Sequence, residues 1–160
     1  MYSPYSDMQY NLLSGIQYYT DQNFQKSLFR HAELQSQYTD VYFYMFSYSG
    51  DMGGNTEQRY PGSGNVTHTE EGNYIFDRNN PNYFSQADQL VHQRIVKIWT
   101  NFATYKNPTP SQDTLLQNII WPKVSESNFQ YVDIGENLQV LKDPKKKSIA
   151  SGRTFSTLTA

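Results

Sequence analysis

The octapeptide Val41-Tyr42-Phe43-Tyr44-Met45-Phe46-Ser47-Tyr48 constrains this chain more than any other stretch. It is β-branched or aromatic at odd and even positions alike. Successive residues of a strand point to opposite sides, so an extended Val41–Tyr48 carries apolar side chains on both faces. Such a strand is stable where both faces of its sheet are covered, the situation of parallel sheets in α/β proteins. A hairpin protein with one wet face is thereby excluded. Ser49-Gly50-Asp51 and Gly53-Gly54 close the strand as turn signals, and residues 50–67 read as a Gly-rich loop.

Helices on either side of this strand in sequence supply the cover. From Asp21 a helical spacing places Phe24, Leu28, Ala32 and Leu34 on one side, with Gln25, Lys26, Arg30 and Glu33 around the rest. A second helix opens at Ser85, a hydroxyl N-cap with Asp88 three residues on. It runs through Ala87, Leu90, Val91, Ile95, Ile98, Trp99 and Phe102, and ends near Tyr105 because Asn107-Pro108-Thr109-Pro110 cannot continue it. Tyr131–Ile134 and Leu138–Leu141 flank Gly135-Glu136-Asn137 as a short hairpin. Residues 1–19 are rich in Tyr, Ser and Gln without clear periodicity and read as an irregular segment. Residues 143–160 are basic and then Ser/Thr-rich and read as a solvated tail. The folded part is thus expected over residues 20–142.

Composition narrows the function. Aromatic residues make 16% of the 160, which argues against disorder, since unfolded polar chains are poor in them. The net charge of −2 gives no electrostatic case for a nucleic-acid or anionic-membrane partner. No apolar run is long enough for a membrane span, and Met1–Asp7 has neither the basic start nor the apolar stretch of a signal peptide. With no Cys, thiol nucleophiles, disulfides and thiolate metal sites are excluded.

Three stretches in order, Val41–Gly50, His68-Thr69-Glu70-Glu71-Gly72-Asn73-Tyr74-Ile75-Phe76 and Ile95–Pro110 with its phrase Trp99-Thr100-Asn101-Phe102-Ala103, resemble the C-terminal third of the type-B carboxylesterase and cholinesterase family, insect esterases in particular. Trp121-Pro122 and Tyr131–Gly135 are similar to the next segments of that family. The resemblance implies an α/β fold, the C-terminal portion of an α/β-hydrolase doubly wound sheet that is incomplete in this chain. Asn65 stands where the family usually has glycine, and Gly72 replaces a usual apolar residue.

The family's chemistry is ester hydrolysis by a serine oxygen, with a histidine that takes its proton and later protonates the leaving alkoxide, and an acid that orients the histidine. By resemblance His68 is that histidine. Chain order in this fold is serine, acid, histidine, which places its partners upstream of His68. No Gly-x-Ser-x-Gly occurs here, Gly62-Ser63-Gly64 has the wrong spacing, and no oxyanion-hole glycine run is present. The chain alone is therefore expected to be inactive, a fragment awaiting the missing N-terminal part of the same fold, which would bring the small carboxylic ester substrate. No cofactor is expected.

Blander readings stand beside this one. Glu70 and Glu71 read as local hydrogen-bonding groups at a helix start rather than as the triad acid. His31 and His92 read as ordinary surface or packing residues. A zinc site at His68 and Glu70 lacks any His-Glu-x-x-His spacing, so no metal is expected. Asn65-Val66-Thr67 is a formal glycosylation sequon with the standing of a chance match. At the level of function, a non-catalytic cholinesterase-like adhesion protein and a truncated gene product are the alternatives. A secreted location follows by resemblance alone.

Overall fold

The computed structural model describes residues 8–54, 64–76, 83–142 and 154–159. In chain order the elements are α1 (Met8–Thr20), one π-helical turn (Asp21–Gln25), α2 (Lys26–Gln35), β1 (Val41–Phe46), a 3-10 turn (Asp51–Gly53), α3 (Glu71–Ile75), α4 (Gln86–Tyr105), β2 (Gln130–Ile134), β3 (Leu138–Lys142) and β4 (Thr154–Thr159). The four strands form one sheet in the order β3-β2-β1-β4.

All six residues of β1 are buried, as the two-sided apolar pattern requires. Their side chains divide by parity. Tyr42, Tyr44 and Phe46 join Val91, Ile95 and Ile98 of α4 and Val132 and Ile134 of β2 in one core. Val41, Phe43 and Met45 join Phe29 and Ala32 of α2, with Val124, Phe129 and Tyr131, in a second core on the other face. The sheet is thus covered on both sides, the arrangement that defines a doubly wound α/β layer. β1 and β2 are parallel, with Tyr44 opposite Val132 and Phe46 opposite Ile134, and α3 and α4 lie on the crossover between them. β2 and β3 form the expected antiparallel hairpin around Gly135–Asn137.

Helix α4 begins and ends as its termini dictate. Ser85 Oγ accepts the Asp88 backbone N–H at 3.1 Å and donates to Asp88 Oδ2 at 2.6 Å. At the other end Lys106 takes a left-handed φ of 54° and returns its N–H to Phe102 O. Asn101 Nδ2 then donates to Pro108 O at 3.0 Å, fixing the turn that the prolines begin. Arg94 is buried on the same helix and bridges Leu115 O (2.9 Å) and Glu136 O (2.5 Å), tying α4 to the hairpin turn.

Three expectations are corrected. Residues 8–19, read as part of an irregular segment over 1–19, are helical, within α1. The π turn at Asp21–Gln25 winds wider than 3.6 residues per turn, so no single periodicity runs through the whole helix and its first half is hidden from a pattern search. The same turn rotates the buried face: Gln25, Phe29 and Ala32 are buried, whereas Phe24 and Leu34 are 40% and 43% exposed. Residues 154–159, read as part of a solvated tail over 143–160, pair antiparallel with all six residues of β1. Three Thr and a Phe give this stretch the β-branched and aromatic content that suits a strand, and the open backbone edge of β1 supplies the partner.

Candidate functional site

His68 lies in the loop that follows the carboxyl end of β1, the side of an open α/β sheet where ligands bind. Its side chain is exposed, and its ring rests on Phe24 from the π turn with centroids 4.7 Å apart and planes tilted by 45°. The helical spacing predicts Phe24 in the core. The phase shift of the π turn turns it outward instead, onto the histidine.

The loop around His68 is held by Glu70, which is 3% exposed. Glu70 Oε2 accepts the Thr67 N–H at 2.8 Å and the Thr67 hydroxyl at 3.3 Å, reaching back across His68. Glu70 N–H bonds Thr67 O at 3.3 Å and Gly72 N–H bonds Thr69 O at 3.0 Å, so the loop leads directly into α3. Thr69, next to the histidine, has φ of 71°. A β-branched residue in this region is a true outlier, held there by its surroundings at a cost of about 1–3 kcal/mol.

The seat of Glu70 is made by Gly53 in the 3-10 turn after β1. A methyl group at Gly53 would stand 2.4 Å from Glu70 Oε1 and 2.7 Å from its Cγ, so glycine is required by close approach. Asn73 Nδ2 donates to Gly53 O at 2.6 Å, a second tie between α3 and that turn.

Beneath lies a buried polar network centred on Asp88, 1% exposed. Asp88 Oδ1 accepts from the Tyr74 hydroxyl at 2.8 Å and from Met52 N–H at 3.3 Å, while Oδ2 accepts from Ser85. Burial chiefly, then the hydrogen bond to Asp88 and that carboxylate's charge, push the Tyr74 phenol far above its ordinary value. Tyr48 is shifted the same way by burial and by Asp88. His92 Nδ1 is 2.7 Å from Tyr74 O, which places His92 in packing around α3. His31 is exposed on α2.

The structure thus brings His68, Glu70 and Glu71 onto one loop and its adjoining helix start, with Phe24 against the imidazole. Sequence reasoning gives Tyr74 only as a member of the histidine motif, Gly53 only as a turn signal, and assigns neither Gly53 nor Asp88 to this region. Asp88 shows only as a helix-cap partner, and nothing in the spacing reveals that Tyr74 reaches it. Among the described residues no three His, Asp or Glu side chains converge where they could hold a metal ion. Gly62 and Ser63 lie outside the described residues.

Comparison with known proteins agrees with this fold. Residues 5–151 match the model of the carboxylesterase family. Acetylcholinesterase 1 of Caenorhabditis briggsae is 25% identical over 127 residues, 72% of this chain and 19% of that protein. Acetylcholinesterase 1 of Caenorhabditis elegans is 26% identical over 99 residues, 59% of this chain and 15% of that protein. A solved structure of PNB esterase superposes with a TM-score of 0.63 over 93% of this chain and 35% of its own, at 18% identity. A thermophilic PNB esterase gives 0.62 over 92% and 34%, at 19% identity. The chain therefore spans less than a fifth of these acetylcholinesterases and about a third of the solved esterases. Its sheet is a partial α/β-hydrolase sheet, no helix among the described residues is long and apolar enough to cross a membrane, and the chain belongs to the carboxylesterase family.

Proposed function

We propose that this chain is the histidine-bearing part of a serine carboxylic ester hydrolase, with His68 as its general base and acid. The observation that carries this reading is the placement of an exposed imidazole at the carboxyl end of a parallel strand, on a loop whose backbone is fixed on both sides of it. In the reaction His68 takes the proton of a serine hydroxyl as the oxygen attacks the ester carbonyl. It then returns that proton to the departing alkoxide, and repeats the exchange with water to release the acid.

The serine, its orienting acid and the oxyanion donors belong to the region of the fold that this sequence does not span. Without them the 160-residue chain has no nucleophile for His68 to activate, and its turnover alone is predicted to be nil. Substrates are small carboxylic esters, as membership of the family implies. The upstream part of the fold is the partner, and it carries the pocket that selects among esters.

The test is to read the coding sequence upstream of Met1, in frame, and to assay the joined polypeptide on a chromogenic acyl ester. A Gly-x-Ser-x-Gly elbow followed by an acid, with turnover abolished by His68→Ala, supports the reading. An elbow without its serine, or stop codons in that frame, overturns it and leaves the non-catalytic, binding relative.

A further inference from the structure

We infer that Glu70 is the positioning residue of His68: its buried carboxylate holds the loop backbone in the one conformation that aims the imidazole. This rests on His68 being the proton carrier, and deepens that reading by naming what orients it from within this chain.

Side-chain contacts alone hold His68 weakly. It is exposed, and its ring packs on Phe24, itself 40% exposed, so ring packing fixes it poorly. Within this chain, backbone geometry does so. On the amino side of His68, Thr67 offers both its N–H and its hydroxyl to Glu70 Oε2. On the carboxyl side, Thr69 sits at φ of 71°, which L side chains avoid and a β-branched one avoids most. A conformation that costs free energy persists only where the surroundings over-determine it. Here the surroundings are the Glu70 clamp and the turn bonds into α3, closed by the Thr69 hydroxyl donating to His68 O at 2.5 Å.

Glu70 is in turn fixed from behind. It is 3% exposed and lies against Gly53, where any side chain would displace it. Gly53 belongs to the turn just after β1, so the orientation of the histidine is referred back to the central strand of the sheet. The chain of contacts runs from β1 through Gly53, Glu70 and Thr67 to His68. None of its members before the histidine needs to touch a substrate.

The experiment uses solution NMR of the 160-residue chain, its Glu70→Ala and Glu70→Gln variants, and Gly53→Ala. The signals followed are the nuclear Overhauser contact between the His68 and Phe24 rings, the His68 side-chain couplings, and exchange of the Thr67 amide. Tyr74 signals report that the fold is intact. In Glu70→Ala the ring contact is predicted to vanish, the couplings to average over rotamers, and the Thr67 amide to exchange about tenfold faster, the loss of one charge-assisted hydrogen bond. Glu70→Gln keeps an acceptor oxygen and should restore the ring contact.

A merely structural role would lower thermal stability without moving the His68 ring. An unchanged ring contact in folded Glu70→Ala therefore overturns the inference, as does a Gln variant that behaves like the Ala variant. Should Glu70→Ala fail to fold, Gly53→Ala displaces the carboxylate while leaving it in place chemically. Loss of the ring contact there supports the inference and retention overturns it. No substrate enters these readouts: ester hydrolysis that survived His68→Ala in the longer polypeptide would overturn the catalytic reading and leave the Glu70 geometry standing.

Discussion

The Tyr74 hydroxyl donates a 2.8 Å hydrogen bond to Asp88 Oδ1, and both side chains are essentially solvent-free. This bond joins α3, which carries the candidate histidine loop, to the first turn of α4, which covers the sheet. Removing the donor leaves a buried carboxylate oxygen short of a partner. Tyr74→Phe should therefore cost about 1–3 kcal/mol in a urea titration. A change within error of zero would show that the network does not secure α3.

The same pair predicts an alkaline limb. Burial first, and the Asp88 bond second, hold the Tyr74 proton more tightly in the folded than in the unfolded chain. Stability from this group is full below the ordinary tyrosine value of about 10 and is lost as pH rises beyond it, because the unfolded chain releases the proton first. The slope reaches about 1.4 kcal/mol per pH unit for one such group. Tyr42 and Tyr48 shift in the same direction, mainly by burial, and add to it. Urea midpoints measured between about pH 8 and 11 should fall, and less steeply in Tyr74→Phe. Equal slopes would contradict the assignment.

Two glycines should respond oppositely to a methyl group. At Gly50 it would lie 2.2 Å from Asp88 Oδ1 and 2.8 Å from the Tyr74 hydroxyl, inside the network. Gly50→Ala is predicted to destabilise by about 1–3 kcal/mol. At Gly72, within α3, nothing stands within 4 Å. Gly72→Ala should stabilise by about 0.5–1 kcal/mol through helix propensity. Thermal melts of the two variants decide the matter, and the same sign for both would refute the local geometry.

Strand β4 covers the edge of β1 opposite β2. β1 is apolar on both faces, and an uncovered edge on such a strand is a template for pairing with another chain. A chain ending at Lys142 should self-associate at concentrations where the 160-residue chain does not, as read by light scattering after gel filtration. Matching profiles would mean that the β4 pairing does not protect this edge.

Legibility in the sequence depends on how local each signal is. The two-faced pattern of β1 announces a sheet covered on both sides because each of its residues reports its own burial. Ser85 and Asp88 announce the start of α4 because a cap is made by residues three apart. The helix over residues 8–20 is hidden because the π turn breaks the phase that a periodic reading depends on. β4 is hidden because its partner lies more than a hundred residues away, and a Ser/Thr-rich stretch looks solvated until an edge is offered to it. At the site, the motif around His68 singles that residue out. The clamp by Glu70, its seat at Gly53 and the contact with Phe24 are not, since each is a tertiary meeting with no fixed spacing.

His68 as the proton carrier of an ester hydrolase is the central functional claim. The most direct measurement is the hydrolysis of p-nitrophenyl acetate by the polypeptide in which this chain is continued upstream in its own reading frame, with and without His68→Ala. The predicted result is turnover in the joined protein and a fall on the order of 10⁴–10⁶ in kcat on removing the imidazole, the size of loss seen when a triad member is deleted. Turnover left at the unsubstituted level in His68→Ala would contradict it.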